Sequence, residues 1–138
     1  MPSGGGKAVQ ITKGGGFYAV ESFDGKVLYY VKPGRQSHDT GPIWKVPYEG
    51  DEEAPVLDRE IAYADWALKA EGIYFATSTG KKYLIEFLSF QTGEITTFYQ
   101  EEDPNYRTCL AISPGGKWLL HTDYPPEKSD LMLAENFR

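Results

Sequence analysis

The chain has 138 residues, which is enough for one domain with a buried core. Its formal net charge of -6 argues against a nucleic-acid partner, because phosphate binding needs a basic surface. Ten Tyr, seven Phe and three Trp, interrupted by 15 Gly and nine Pro, predict an all-β protein built of short strands.

The N-terminal part predicts a leader followed by one isolated strand. Residues 1–7 resemble a flexible leader, since they lack the apolar core of a signal peptide. No apolar run is long enough to span a membrane, so we expect no membrane partner and a cytoplasmic protein. A periplasmic location stays open, because a removed signal would leave no trace. Residues 8–12 alternate in polarity, which predicts a strand.

Residues 17–58 predict a first four-stranded unit. Its strands are expected at 17–22, 27–31, 43–47 and 54–57, with a polar loop over 33–42. The first two strands are joined by the turn Phe23-Asp24-Gly25-Lys26, in which Gly25 supplies a positive φ. Ile43 and Val46 flank Trp44, and this predicts that Trp44 is a buried anchor.

Two further units follow, at residues 64–100 and 108–135. The second predicts strands at 65–68, 72–76, 83–90 and 95–99, and the third at 110–113, 118–122 and 130–134. The sequence ends without a pattern for a fourth strand in the third unit. Their first turns, Ala70-Glu71-Gly72-Ile73 and Pro114-Gly115-Gly116-Lys117, correspond to the turn at Gly25.

Repetition of one turn at a period of about 45 residues is a signature of β-propeller blades. The chain predicts three blades, whereas closed propellers usually have about four to eight. A lone three-bladed arc would expose two apolar faces to water, which is unfavourable. We therefore predict a homodimer that forms a six-bladed ring, in which residues 8–12 supply the outer strand of the partner's third blade.

The same residues resemble a known repeat family. Gln10-Ile11-Thr12 with Gly14-Gly15-Gly16-Phe17, then the run from Glu21 to Tyr30, looks like the TolB-like or WD40-like propeller repeat. The run from Ala111 to Leu120 resembles it as well. The tail from Asp130 to Arg138 is similar to the last blade of propellers that follow winged-helix regulator domains in bacteria. The resemblance implies a fold rather than a function. The winged helix is absent from this sequence, so DNA binding is not carried over. Relatives have more blades per chain, which implies either a natural half-propeller or a piece of a longer one.

Most reactive residue types have an ordinary structural explanation. Cys109 lies in an apolar run, which predicts a buried, inert thiol and leaves no second cysteine for a disulfide. His121 is expected to be partly buried on a strand, and His38 to lie in a solvated loop. No spacing matches a metal site, so we predict no metal and no cofactor.

Other polar residues are assigned to turns. Ser22 and Ser113 precede turns and are predicted to cap them. Asp51, Glu52 and Glu53 are predicted to be solvent-exposed turn charges.

One set of residues predicts a binding surface, because inner strands line the central channel of a propeller. Acidic and aromatic groups around the mouth of that channel could hold a cation, a peptide or a sugar. The alternative is that Trp66 belongs to the core and the acids are ordinary rim residues. The predicted mouth residues are Glu21, Asp65, Trp66 and Arg107, with Arg59, Tyr63 and Tyr106 in the connections.

Three functions remain open from the sequence. The first is a non-catalytic interaction or scaffold module whose partners are a second copy and a protein or peptide. The second is a sensing domain that binds a small ligand or peptide in the channel. The third is an enzyme of the lactonase or lyase type, but the sequence shows no catalytic set for it.

Overall fold

A computed structural model describes residues 4–34, 37, 39–49, 52–62, 64–102, 109–123 and 130–135. Within these ranges the chain forms eleven strands and no helix. The strands are β1 (Phe17–Glu21), β2 (Val27–Val31), β3 (Thr40–Pro47), β4 (Ala54–Ala62), β5 (Trp66–Lys69), β6 (Gly72–Thr79), β7 (Lys82–Ser89), β8 (Ile95–Glu102), β9 (Ala111–Ile112), β10 (Trp118–Asp123) and β11 (Asp130–Glu135).

The strands form three antiparallel sheets, each built from consecutive strands. Sheet 1 has the order β1-β2-β3-β4, and sheet 2 has the order β5-β6-β7-β8. Sheet 3 contains β9, β10 and β11, with β10 in the middle. The predicted all-β class is therefore confirmed, and the three sheets follow the three predicted units.

Two of the repeated turns share one hydrogen-bond pattern. Ser22 and Ser113 each accept, through the side-chain hydroxyl, an amide hydrogen bond from the residue five positions later, at 3.0 Å. The carbonyls of the same serines accept from the amides of Gly25 and Gly116, at 2.9 and 2.8 Å. Both glycines have positive φ, 68° and 67°. The predicted capping role of both serines is confirmed.

The stretch before each of these turns also repeats. Tyr18 and Cys109, which lie four residues before Ser22 and Ser113, have φ values of 48° and 70°. They are the two non-glycine residues with positive φ in the described part of the chain. Such backbone is unfavourable for L-residues, so its recurrence at one repeat position indicates that the fold imposes it.

The prediction that Cys109 is buried was wrong. Its left-handed backbone turns the chain before β9 begins at Ala111, and the thiol is exposed. The apolar run around Cys109 concealed this, because periodicity does not report a local change in φ.

The sheets pack in series, with sheet 2 in the middle. One face of sheet 2, including Phe75, packs against Val31, Ile43 and other residues of sheet 1. The opposite face, including Ala76, packs against Leu119 of sheet 3. Adjacent strand residues point to opposite faces, so Phe75 and Ala76 serve two different cores.

Two strands of sheet 1 extend beyond their predicted bounds. The third strand begins at Thr40, inside the predicted loop, and β4 continues to Ala62. The extensions pair with each other, Thr40 with Ala62 and Gly41 with Ile61. Ile61 is fully buried, and its burial accounts for the continued strand.

Trp44, the predicted anchor of the first unit, is only half-buried and does not pack between sheets 1 and 2. Trp44 pairs with Tyr30, whereas their neighbours Ile43 and Val31 face sheet 2. Alternation therefore directs the half-buried Trp44 away from sheet 2. Trp66, with 1% of its surface exposed, is the tryptophan that packs between sheets 1 and 2.

Candidate functional site

Asp65 lies at the junction of sheets 2 and 3, where it joins two segments of the chain. Its carboxylate accepts a hydrogen bond from the Cys109 amide at 2.8 Å. The carbonyl of the preceding residue, Ala64, accepts from the Leu110 amide at the same distance. Asp65 is buried, and this burial raises the pKa of its carboxyl group to about 6. Through these hydrogen bonds, Asp65 and Ala64 connect sheet 2 to sheet 3.

Trp66 packs inside the hydrophobic core rather than facing solvent. Its ring meets that of Tyr18 edge-on, with the centroids 5.9 Å apart. The geometry agrees with the alternative stated for Trp66, in which the indole belongs to the core.

Glu21 and Arg59 lie far apart in the strand order. Glu21 ends the first strand of sheet 1 and is exposed. Arg59 lies within the outermost strand β4, not in the predicted connection, and pairs with Glu86 of β7 at 2.8 Å. Thr77 also donates to Glu86, at 3.0 Å. Arg59 therefore links sheet 1 to sheet 2 through a buried carboxylate.

The other predicted mouth residues, Tyr63, Tyr106 and Arg107, lie outside the described residues, as does His38. No hydrogen bond or ion pair in the described ranges joins Glu21, Asp65, Trp66 and Arg59 to one another. The structure thus does not bring these four predicted residues together in one polar cluster.

His121 is buried and lies near two aromatic rings. Its imidazole lies 6.1 Å from the Tyr83 ring and 5.9 Å from the Tyr99 ring, measured between centroids. The predicted burial of His121 on a strand is confirmed. Among the described residues, no group of three or more His, Cys, Asp or Glu side chains could hold a metal ion. The same part of the chain has no helix that is long and apolar enough to cross a membrane.

A second candidate region is the N-terminal segment, defined here as residues 8–13. The segment forms no strand in the structure and lines a cleft with Tyr48 and Glu49, at the end of β3. The Lys13 amide donates to the carboxylate of Glu53 at 2.6 Å. Glu53 also forms an ion pair with Lys32, and these two hydrogen bonds lower the pKa of Glu53. The prediction that Glu53 is a solvent-exposed turn charge was therefore wrong.

The N-terminal segment lies against sheet 1 much as β4 lies against sheet 2. Pro55 and Val56 of β4 line a cleft with Phe90 and Gly93, just beyond the third strand of sheet 2. When the repeats are aligned in sequence so that Ser22 matches Lys69, Val9 matches Val56. Both segments thus line a cleft just beyond the third strand of the following sheet.

Gly16, which follows the N-terminal segment, is packed closely against sheet 1. A Cβ atom at Gly16 would lie 2.6 Å from the Tyr30 ring, which is too close for any side chain. Tyr30 and Val46, both 1% exposed, belong to the face of sheet 1 that points away from sheet 2. This outward face is therefore apolar and partly covered by the N-terminal region.

Sheet 3 presents the opposite end of the array. Its last strand, β11, pairs only with β10, so its other edge is open in the described chain. Leu131 pairs with Thr122, which places it on the face opposite to Leu119 and His121. The Leu131 side chain is 74% exposed. The array thus ends in an open strand edge and an exposed apolar residue.

Sequence reasoning missed the residues that join the sheets. Lys69 and Glu86 are charged residues with little exposed surface, and each has a partner in a neighbouring sheet. A charged residue inside an apolar strand, as with Glu86 in β7, was the available signal for such a partner.

No protein-family model matches this chain, and no curated protein matches its sequence. The likeness to TolB-like repeats therefore remains a prediction that is carried by the residues quoted above.

Proposed function

We propose that the protein is a non-catalytic β-propeller interaction module of the TolB-like or WD40-like type, completed by a second copy of the chain. Two copies would form a six-bladed ring, and residues 8–12 of each would pair with β11 of the other. The finished ring would present its loops and channel to a protein or peptide partner.

The observation that carries the proposal is the unequal number of strands in the sheets. Among the described residues, sheets 1 and 2 have four strands, whereas sheet 3 has three and ends in an open edge. Residues 8–12 make no backbone pairing with a strand in the described chain. Residues 9–12 line a cleft just beyond the third strand of sheet 1, and Pro55 and Val56 of β4 line a similar cleft beyond the third strand of sheet 2. The open edge of β11 could pair with a further strand, and residues 8–12 have a strand pattern but no sheet, so the two could pair with each other.

The outward faces support the same arrangement. Half-buried Trp118 and Leu120 share the exposed face of sheet 3 with Leu131. Half-buried Leu28 and Trp44 belong to the outward face of sheet 1. Packing these faces against each other would remove apolar surface from water at both junctions of the ring.

The proposal is tested by native mass spectrometry and light scattering over a range of protein concentrations. We expect a stable two-chain species. Gln10→Pro should abolish it, because proline removes an amide from the middle of the exchanged strand. Lys7→Pro, which lies just outside that strand, is the matched control and should keep it. A compact, soluble single chain, or a dimer unaffected by Gln10→Pro, would contradict the proposal.

A further inference from the structure

At the junction of sheets 2 and 3, the ammonium group of Lys69 is bound by backbone carbonyls. Lys69 is 8% exposed, and its Nζ donates to the carbonyl oxygens of Ser113 and Pro114, at 2.8 and 2.7 Å. A buried ammonium is stable only when acceptors replace its water. The first two residues of this turn therefore form a pair of carbonyl acceptors that suits a primary ammonium.

The junction of sheets 1 and 2 has no lysine at the corresponding repeat position. Ser22 occupies the repeat position of Lys69, and its short side chain is used in capping its own turn. The acceptors that correspond to Ser113 and Pro114 are the carbonyls of Lys69 and Ala70. Lys69 and Ser113 both lie at the end of their hairpin next to the turn, although the turn after Lys69 spans two residues and the turn after Ser113 spans four.

A cleft exists where the missing lysine side chain would lie. It has a volume of about 320 Å³, and its lining includes Ser22, Asp24, Lys69 and Ala70. Tyr29 and Phe90 also line it, with their rings stacked at 5.6 Å and an interplanar angle of 15°. The cleft thus combines an apolar wall with polar groups at the turns.

The charge of the cleft favours a cation. The carboxylate Oδ1 of Asp24 accepts hydrogen bonds from the Ser22 hydroxyl and the Lys26 amide, at 2.7 and 3.2 Å. These bonds lower the pKa of Asp24, so it is anionic at neutral pH. Its Oδ2 accepts no hydrogen bond from the described residues. Asp24 and Lys69 are the charged residues of the lining, and the Lys69 ammonium is bound to sheet 3.

We propose that this cleft binds a primary alkylammonium group. The ammonium would donate to the carbonyls of Lys69 and Ala70, with Asp24 as the counter-charge and the stacked rings of Tyr29 and Phe90 beside the alkyl chain. A free alkylamine and the lysine side chain of a peptide share this chemistry. The site lies within one chain, so it is independent of the proposed assembly.

The direct test is a titration of the labelled protein with n-butylammonium chloride, followed by the amide resonances of residues 22–26 and 68–71. We expect saturable shifts with a dissociation constant on the order of 1 mM, as is usual for so small a ligand. n-Butanol, which keeps the alkyl chain but lacks the charge, should bind at least tenfold more weakly. Equal effects of the amine and the alcohol, or no saturable shift with the amine, would overturn the proposal.

Two variants sharpen the test. Ser22→Lys should fill the cleft from within and weaken butylammonium binding at least tenfold, whereas Ser78→Lys adds the same charge at an exposed position on β6 and should leave binding unchanged. Lys69→Ala should lower the melting temperature and regain part of it when butylammonium is added. Unchanged binding in Ser22→Lys, or no rescue of Lys69→Ala, would contradict the role of the carbonyl pairs.

A parallel titration with Nα-acetyl-lysine methylamide distinguishes a peptide lysine from a free alkylamine as the ligand. Binding of this compound at a comparable affinity would assign the cleft to peptide lysines, because the flanking amides must then fit outside the cleft. Binding of butylammonium alone would assign it to free alkylamines.

Discussion

Asp65 shows how one buried carboxylate can link two sheets and make stability depend on pH. Its carboxylate accepts the Cys109 amide, and its own carbonyl accepts the Ala76 amide at 2.8 Å. Asp65 therefore connects the start of β5 in sheet 2 with the residues that precede β9 in sheet 3. The cost is that an anion lies where little water can reach it.

We predict that Asp65 makes the fold more stable at acidic pH. Burial raises its pKa from 3.8 to about 6, so the folded state binds the proton more tightly than the unfolded state. The contribution of this group to the free energy of unfolding is greatest below about pH 4 and falls as the pH rises to 6, by at most about 1.4 kcal/mol per pH unit. Asp65→Asn should remove this slope and be more stable than the wild type at pH 7. It retains an oxygen to accept the Cys109 amide.

Urea unfolding from pH 4 to pH 8 measures this prediction. Asp58→Asn is the matched control, since Asp58 is an exposed residue of β4, and its stability profile should parallel that of the wild type. An Asp65→Asn protein that keeps the wild-type slope between pH 4 and pH 6 would show that another group is responsible.

At the level of the elements, the repeated turns join the first two strands of each sheet. The serine-capped turns at Ser22 and Ser113 place a glycine in the left-handed region, whereas the turn between β5 and β6 spans only Ala70 and Glu71. These turns also meet the neighbouring sheet, because Lys69 reaches the carbonyls of the third turn. Turn geometry and the packing between sheets are therefore linked.

We predict that two adjacent glycines differ in their tolerance of alanine. Gly116 has a φ of 67°, and a Cβ atom there would contact nothing within 4 Å, so Gly116→Ala should cost about 1 kcal/mol through backbone strain alone. Gly115 has the same open surroundings without the positive φ, and Gly115→Ala should be close to neutral. Chemical denaturation of both variants measures the difference. Equal stabilities would show that the turn can adopt another conformation.

At the scale of the whole molecule, the array is built in series and its two ends differ from its middle. Sheet 2 buries both faces, whereas the outward faces of sheets 1 and 3 have no neighbouring sheet in the described chain. In such arrays, terminal units need a cap, a polar surface or a further copy. Here the N-terminal segment covers part of one end, and Leu131 remains exposed at the other.

We predict that a charge at Leu131 weakens the proposed dimer. If the outward faces pack together, Leu131→Lys places an ammonium where about 2 kcal/mol of apolar burial would be expected, which corresponds to at least a tenfold weaker dissociation constant. Ile95→Lys is the control, because Ile95 is 38% exposed on β8 at the outer edge of the middle sheet. Analytical ultracentrifugation measures both. A dimer that tolerates Leu131→Lys as well as Ile95→Lys would place the interface elsewhere.

The candidate binding residues show why sites were harder to predict than strands. The sequence grouped Glu21, Asp65, Trp66 and Arg59 by their distance from inner strands. The structure uses Trp66 in the core and Arg59 in an ion pair with Glu86. Side-chain direction depends on register and on the length of β4, and neither is visible in a local pattern.

What the sequence determined by itself was the local order: all-β composition, consecutive antiparallel strands, and turns whose serine and glycine form hydrogen bonds within a few residues. Which groups meet across the sheets follows from the tertiary structure. Lys69 meets the turn carbonyl of Ser113, Asp65 meets Cys109, and Trp66 rather than Trp44 fills the core. The physical reason is range: a turn is specified by neighbouring residues, whereas burial and pairing of distant groups depend on the register and packing of whole sheets.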